Sequence, residues 1–266
     1  MNNWSKPNIA FWIFCFFLVL NFNNNILCAQ EKYNLTHEDS TALEDVIVER
    51  YYEATEEDCA DTTGGILPKG SVTYRIFVDL KTGYKLQTVF AETGYPLIFT
   101  TSTSFYNHTN GHATGEQQDN DFYNVNNYAL DTWLTMNAAS NMLIGILKKD
   151  DHNGSVLIKN QLKTADGLMK GTIPDIFKYG FEKMDIFEKN GSSQFLNENF
   201  ILAVLGGIEG PTADNMILIG QFTTNGLFSF KMNIQVENSQ NGAFFQFVSG
   251  RGADHKILNN KLSYGK

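Results

Sequence analysis

The chain has 266 residues, with 20 Lys and Arg against 29 Asp and Glu, for a formal net charge of −9. A protein this acidic is repelled by phosphate backbones and anionic lipid heads, which excludes nucleic acid as an expected partner. The length is sufficient to bury a hydrophobic core, and the three cysteines could supply few covalent staples.

Residues 9–20, IAFWIFCFFLVL, form an unbroken apolar run behind Lys6 and ahead of Ala29. A positive n-region, an apolar stretch short of bilayer length and a small residue at the cut site are the parts of a secretory signal peptide, here residues 1–29. Cleavage after Ala29 leaves Gln30 at the new amino terminus, and cutting after Gln30 is the near alternative. Cys28 offers a lipoprotein reading, which Leu27 before it disfavours. Asn21, Asn23, Asn24 and Asn25 end the apolar run early, so no transmembrane segment is expected after signal removal. Cys15 and Cys28 leave with the signal. Cys59 then stands alone in an oxidising compartment, without an internal disulfide, and reads as a small, semi-buried residue. The expected destination is the periplasm, the cell surface or the medium.

Residues 30–45 are polar and acidic without apolar periodicity and read as a solvated leader, followed by one domain over 46–266. DVIVERYY (45–52) is rich in β-branched and aromatic residues and suits a strand. In SVTYRIFVDL (71–80), Val72, Tyr74, Ile76, Val78 and Leu80 share one face and Ser71, Thr73, Arg75 and Asp79 the other, the period of a half-buried antiparallel strand. Thr82-Gly83 supplies a turn and Tyr84, Leu86, Thr88 and Phe90 resume the alternation, which predicts a hairpin over 71–91. A second hairpin is predicted from MILIGQF (216–222) and LFSFKMNIQV (227–236), joined through Asn225-Gly226, a pair that tolerates positive φ. Further strands are expected at 97–103, 130–136, 142–147, 155–159, 200–205 and 243–248, with FILAVL and MILIGQF central. Residues 174–189 carry a near-helical apolar stripe interrupted by Gly180, predicting one short helix or an irregular aromatic-rich connection. The fold class is therefore all-β, an antiparallel β-sandwich of jelly-roll-like or Ig-like kind with at most one short helix.

VIVERYY, LPKGSVTYRIFVDLKTGYKLQTVF, ALDTWLTMNAAS and ILIGQFTTNGLFSFKMNIQV together resemble blocks found in uncharacterised exported or cell-surface β-rich proteins of the Bacteroidetes kind. The resemblance spans most of residues 46–236 and implies an exported β-rich protein. It carries no activity, cofactor or functional residue.

Candidate chemistry concentrates between the strands. His108 and His112 lie in YNHTNGHATGEQQDNDF (106–122), but Asn110-Gly111 between them argues against the helix that would make their spacing a zinc motif. Tyr106 and Tyr123 flank this loop as candidate sugar-stacking platforms, so Tyr106, His108, His112 and Tyr123 are the candidate ligand-binding residues. Trp133 sits in an apolar strand context and reads as core. Calcium is the metal that an exported acidic β-protein would take, with Asp58 and Asp61 in EEDCADTTGG as its candidate ligands; Asp119, Asp121, Asp150, Asp151 and Asn153 are further oxygen donors. There is no G-x-S-x-G, H-E-x-x-H, C-x-x-C or G-x-x-x-x-G-K, and GGIEGPT (206–212) reads as a turn. The reading is a non-catalytic module with a binding or structural role at the envelope or outside the cell, its partner a glycan or another surface protein. The alternative is a secreted hydrolase of glycans or peptides with a site built from scattered carboxylates.

Overall fold

Apolar side chains that recur every second residue put one face of each long strand out of water, and those faces find each other here. The computed structural model describes residues 35–123, 125–152, 166–187, 189–251 and 256–265. The expected leader peptide and the strand expected at 155–159 lie outside the described residues. A four-stranded antiparallel sheet has the order β1 (Leu43–Glu53), β2 (Val72–Leu80), β11 (Met216–Thr224), β5 (Trp133–Leu134). A six-stranded sheet runs β15 (Lys256–Leu258), β14 (Ala243–Val248), β13 (Asn233–Asn238), β3 (Tyr84–Ala91), β10 (Phe200–Ile208), β8 (Ile176–Tyr179). A third sheet runs β16 (Ser263–Tyr264), β12 (Phe228–Lys231), β4 (Leu97–Thr101), β9 (Gln194–Asn197), and β6 (Leu143–Gly145) pairs with β7 (Leu168–Lys170).

The six-stranded and third sheets are two halves of one bent sheet. β13, β3 and β10 stand side by side in the first half, and β12, β4 and β9 stand in the same lateral order in the second. Each pair is consecutive in the chain, and only Met232 separates β12 from β13. The expected run Phe228, Phe230, Met232, Ile234 and Val236 does lie on one buried face, bent at Met232. The four-stranded sheet packs against the inside of this bend. Ile76 and Val78 from β2, Phe222 from β11, Leu86 and Val89 from β3, Leu202 from β10, Phe247 from β14 and Phe99 from β4 belong to one buried cluster. Phe222 joins the two layers, with its ring centroid 4.5 Å from that of Phe99 and 5.0 Å from that of Phe228. Burying one such ring contributes about 2–3 kcal/mol.

Neither predicted hairpin forms. β2 and β3 follow one another through a turn at Lys81–Gly83 but enter different sheets, as do β11 and β12. Gly226 has no positive φ; instead a Cβ there would collide with Thr101, Ser102 and Thr103. Alternation shows which face of a strand is apolar without showing which strand lies beside it, and both connections cross between layers.

The alternation in β2 also misleads on exposure. Its supposed solvent face is buried too, because residues 105–150 and 166–170 fold over it as an irregular cover. Phe77, Trp133 and Leu218 on that face meet Tyr123, Tyr128, Ala139, Leu143, Leu147 and Leu168. β11 is buried along its whole length, as expected for a central strand, whereas Leu205 on β10 stands exposed.

Two short α-helices are present where at most one was expected: α1 (His37–Ser40) and α2 (Glu56–Ala60). The first lies inside the region read as a solvated leader, where Asp39, Ala42 and Leu43 are buried, so the ordered fold begins before residue 46. The apolar stripe at 174–189 becomes β8 followed by a 3-10 segment, Phe181–Phe187. Gly180 breaks the two apart at φ +73°, where a Cβ would strike the Asn199 carbonyl.

Candidate functional site

The cover and the polar row beneath it hold most of the molecule's buried charge. Glu49, Arg75, Gln221 and Trp133 are successive partners across β1, β2, β11 and β5, so their side chains form one line on the covered face. An irregular segment leaves backbone carbonyls without ladder partners, and burial then demands donors for them. Arg75 Nη1 donates to the Gly167 carbonyl at 3.0 Å, and Arg75 Nε donates to Gln221 Oε1 at 3.0 Å. Gln221 Nε2 in turn donates to the carbonyls of Ala129 and Asp131, both at 2.8 Å.

A bulge in β1 between Arg50 and Tyr52 brings Tyr51 under Arg75. The guanidinium carbon lies 3.6 Å from the centroid of the Tyr51 ring, and the Lys148 ammonium 4.6 Å from the same centroid. Tyr51 donates to the Asp166 carbonyl at 2.7 Å, Lys148 Nζ donates to the Tyr51 carbonyl, and Lys148 N donates to Glu49 Oε1 at 2.9 Å. Asp151 ties down the far end by accepting from the amides of Asp166 and Gly167, at 2.9 and 3.0 Å. Burial pushes the Glu49 carboxyl up despite the Lys148 amide and the Arg75 charge. Burial likewise pushes the Lys148 ammonium down against the pull of Glu49, and it raises the Tyr51 phenol. Among the described residues Arg75 Nη2 and Glu49 Oε2 are buried without a hydrogen-bond partner.

The loop at 106–122 is organised by a residue the sequence reading passed over. Asp131 is fully buried, and its carboxylate accepts from His108 N at 2.8 Å, His112 N at 3.2 Å and Gln118 Nε2 at 2.9 Å. Burial pushes its pKa up to about 8, opposed by these same donors. Gly111 packs so closely that a Cβ would overlap the carboxylate. A lone acid inside the apolar string ALDTWL was the available signal, since a buried carboxylate needs several donors to come to it.

The four candidate ligand-binding residues are therefore part of the scaffold. Tyr106 and Tyr123 are both buried, so they present no stacking platform; Tyr123 donates to the Ala139 carbonyl. The two histidines meet at Asp131 through their backbones. His108 Nδ1 accepts from Asn110 N at 3.1 Å, which leaves the neutral ring its proton on Nε2, and burial lowers its pKa. His112 is half-buried.

Asp58 and Asp61 are both engaged in local hydrogen bonds. Thr55-Glu56-Glu57-Asp58 is a capping box, in which Asp58 N donates to Thr55 Oγ1 and Asp58 Oδ2 accepts from Thr55 N at 2.8 Å and Thr55 Oγ1 at 2.7 Å. The Tyr52 phenol donates to the same Oδ2 at 2.7 Å. Asp61 Oδ1 accepts from Thr63 N at 3.0 Å. α1 repeats the device with Thr36 and Asp39. The T-x-x-D spacing was visible in both THED and TEED, though Asp stands where Glu or Gln is usual. Among the described residues no three His, Cys, Asp or Glu side chains are placed to hold a metal ion.

No helix of the described residues is long and apolar enough to cross a membrane. No family model, curated protein or solved structure matches this chain. Exposed aromatic side chains include Phe122 at the end of the cover loop and others on the strands. Phe177 and Tyr179 on edge strand β8 are each 48 % exposed and stand beside Ala203 and Ile201 of β10. Between them Lys178 turns to the opposite face and pairs with Glu116 of the cover.

Proposed function

We propose that this chain is an exported, non-catalytic β-sandwich module with a binding or structural role at the cell envelope or outside it. The observation that carries the non-catalytic reading is the engagement of the buried polar groups with the protein's own backbone. Arg75, Gln221, Asp131, Asp151 and Asp58 each hold a carbonyl or an amide of an irregular segment. A reacting group must be free to meet a substrate, and these are closed in by the segments they fix. Export rests on the leader pattern of residues 1–29. Recognition then falls to the outer surface, and the Phe177–Tyr179 strip of β8 fits the apolar face of a sugar ring better than the buried tyrosines of the cover loop.

The test is a glycan array probed with the full chain and with Phe177→Ala/Tyr179→Ala. Wild-type binding that the double variant loses, at an unchanged melting temperature, supports the reading. Equal binding by both proteins removes the strip from it, and glycan or peptide hydrolysis by the purified chain overturns the non-catalytic assignment.

A further inference from the structure

Five Asn-Gly dipeptides punctuate the sequence, at Asn110, Asn153, Asn190, Asn225 and Asn241. Because Gly has no Cβ to shield it, its backbone nitrogen is the one best able to attack the side-chain amide of a preceding Asn. Four of the five lie within the described residues, and their surroundings differ. Gly111 N donates to the His108 carbonyl at 2.8 Å, and Gly242 N donates to the Asn238 carbonyl at 2.8 Å. Gly226 N donates to Thr224 Oγ1 at 3.0 Å. In each case the attacking nitrogen is held by a hydrogen bond that local opening must break first.

Gly191 differs from all three in its N–H and shares its open surroundings with Gly242 alone among them. Among the described residues no hydrogen bond reaches its N–H, and the space where a Cβ would sit is open, with nothing within 4 Å. Asn190 is exposed, and its Oδ1 accepts only a long hydrogen bond, 3.4 Å from Asn107 N. Gly111 and Gly226, by contrast, are hemmed in by the Asp131 carboxylate and by the hydroxyls of Thr101, Ser102 and Thr103.

We infer that Asn190 is a self-modifying site, converting to aspartate and isoaspartate through a cyclic imide with Gly191. Gly191 N gives up its proton and bonds to Asn190 Cγ; the Cγ–Nδ2 bond breaks and ammonia leaves. Water then adds to one of the two imide carbonyls and opens the ring, so the net change is amide plus water to carboxylate plus ammonium, with no redox partner. The isoaspartyl product lengthens the main chain beside Lys189, whose carbonyl accepts from Asn107 Nδ2 at 2.5 Å. It also lies just before Ser192, whose carbonyl accepts from Phe105 N at 2.8 Å. Modification therefore loosens the point where the cover leaves the third sheet.

The experiment is a time course of the folded full chain at mildly alkaline pH, followed by peptide mapping with isoaspartate resolved from aspartate. Asn190 should be lost several-fold faster than Asn110, Asn225 and Asn241, and in urea the four rates should converge. Asn190→Gln should remove the corresponding share of released ammonia. If Asn190 in the folded protein reacts no faster than the other three, or if its lead persists undiminished in urea, the inference is overturned.

Discussion

The guanidinium of Arg75 sits over the ring of Tyr51 at 3.6 Å, both side chains fully buried between a sheet and its irregular cover. The contact joins β2 to the β1 bulge, and the two residues together hold the carbonyls of Asp166 and Gly167. Arg75→Met should cost about 3 kcal/mol, because it leaves the Gly167 carbonyl, Gln221 and Glu49 buried without their cation. Tyr51→Phe keeps the ring and loses one hydrogen bond, so about 1 kcal/mol is expected. Urea unfolding of both variants measures the difference, and comparable costs would show that the ring contact and the Arg75 hydrogen bonds add little beyond the Asp166 carbonyl bond that Tyr51→Phe removes.

Asp131 sets a second prediction through linkage. Its folded pKa of about 8 lies above its ordinary 3.8, so the folded state holds a proton that the unfolded state releases. Its contribution is complete at low pH and is lost as pH rises from about 4 to about 8. His108 acts in the opposite sense: burial lowers its pKa, so stability is lost as pH falls below its ordinary 6.5. The His108 contribution is nearly complete about one pH unit above that value, so the fall in melting temperature from about pH 7.5 to pH 8 reports Asp131. Asp131→Asn should flatten that interval, whatever it does to absolute stability.

Like charges crowd the end of the four-stranded sheet. Asp79 on β2 stands directly opposite Asp45 on β1, and burial, with Glu44, Asp214 and Asp45, raises its pKa to about 6. Asp79→Asn should therefore stabilise the protein at neutral pH by roughly 0.5 kcal/mol, the scale of a like-charge cross-strand pair. The gain should vanish below about pH 4, where the wild-type carboxyl is protonated in both states. Thermal melts of the pair at two pH values decide it.

At α2, Thr55→Ala should cost about 1 kcal/mol by removing the cap, and Asp58→Ala should cost at least as much because the Tyr52 phenol also loses its acceptor. Calcium and a chelator should give coincident melting curves, since Asp58 Oδ2 already accepts from three donors. A calcium-dependent rise in melting temperature would contradict this assignment of Asp58.

The periodic parts of the sequence foretold the strands and their buried faces, because Ile76, Val78, Ile234 and Val236 obey a local rule of backbone geometry. Pairing was not legible. Whether β2 meets β3 or β11 depends on surfaces more than a hundred residues apart, and the turn at Gly83 suits either outcome. Arg75 shows the same limit at the site: its position in the alternation marks the face opposite the core, and nothing nearby reveals that another segment will cover that face. Asp58 and Asp131 carried local signs, the T-x-x-D spacing and the isolated acid among apolar neighbours. Their meaning lay in the amides they receive, which composition cannot display.

The distance along the chain between β2 and β11 has a kinetic consequence. The cover can dock only on a platform that those two strands create, and closing that long loop comes late and slowly. With the short β6–β7 pair as its own ladder, the cover should be the last region to gain amide protection during refolding and the first to surrender it under native conditions. A protease acting on the folded protein should accordingly nick within 106–150 long before it reaches the three strand pairs that run through the bend.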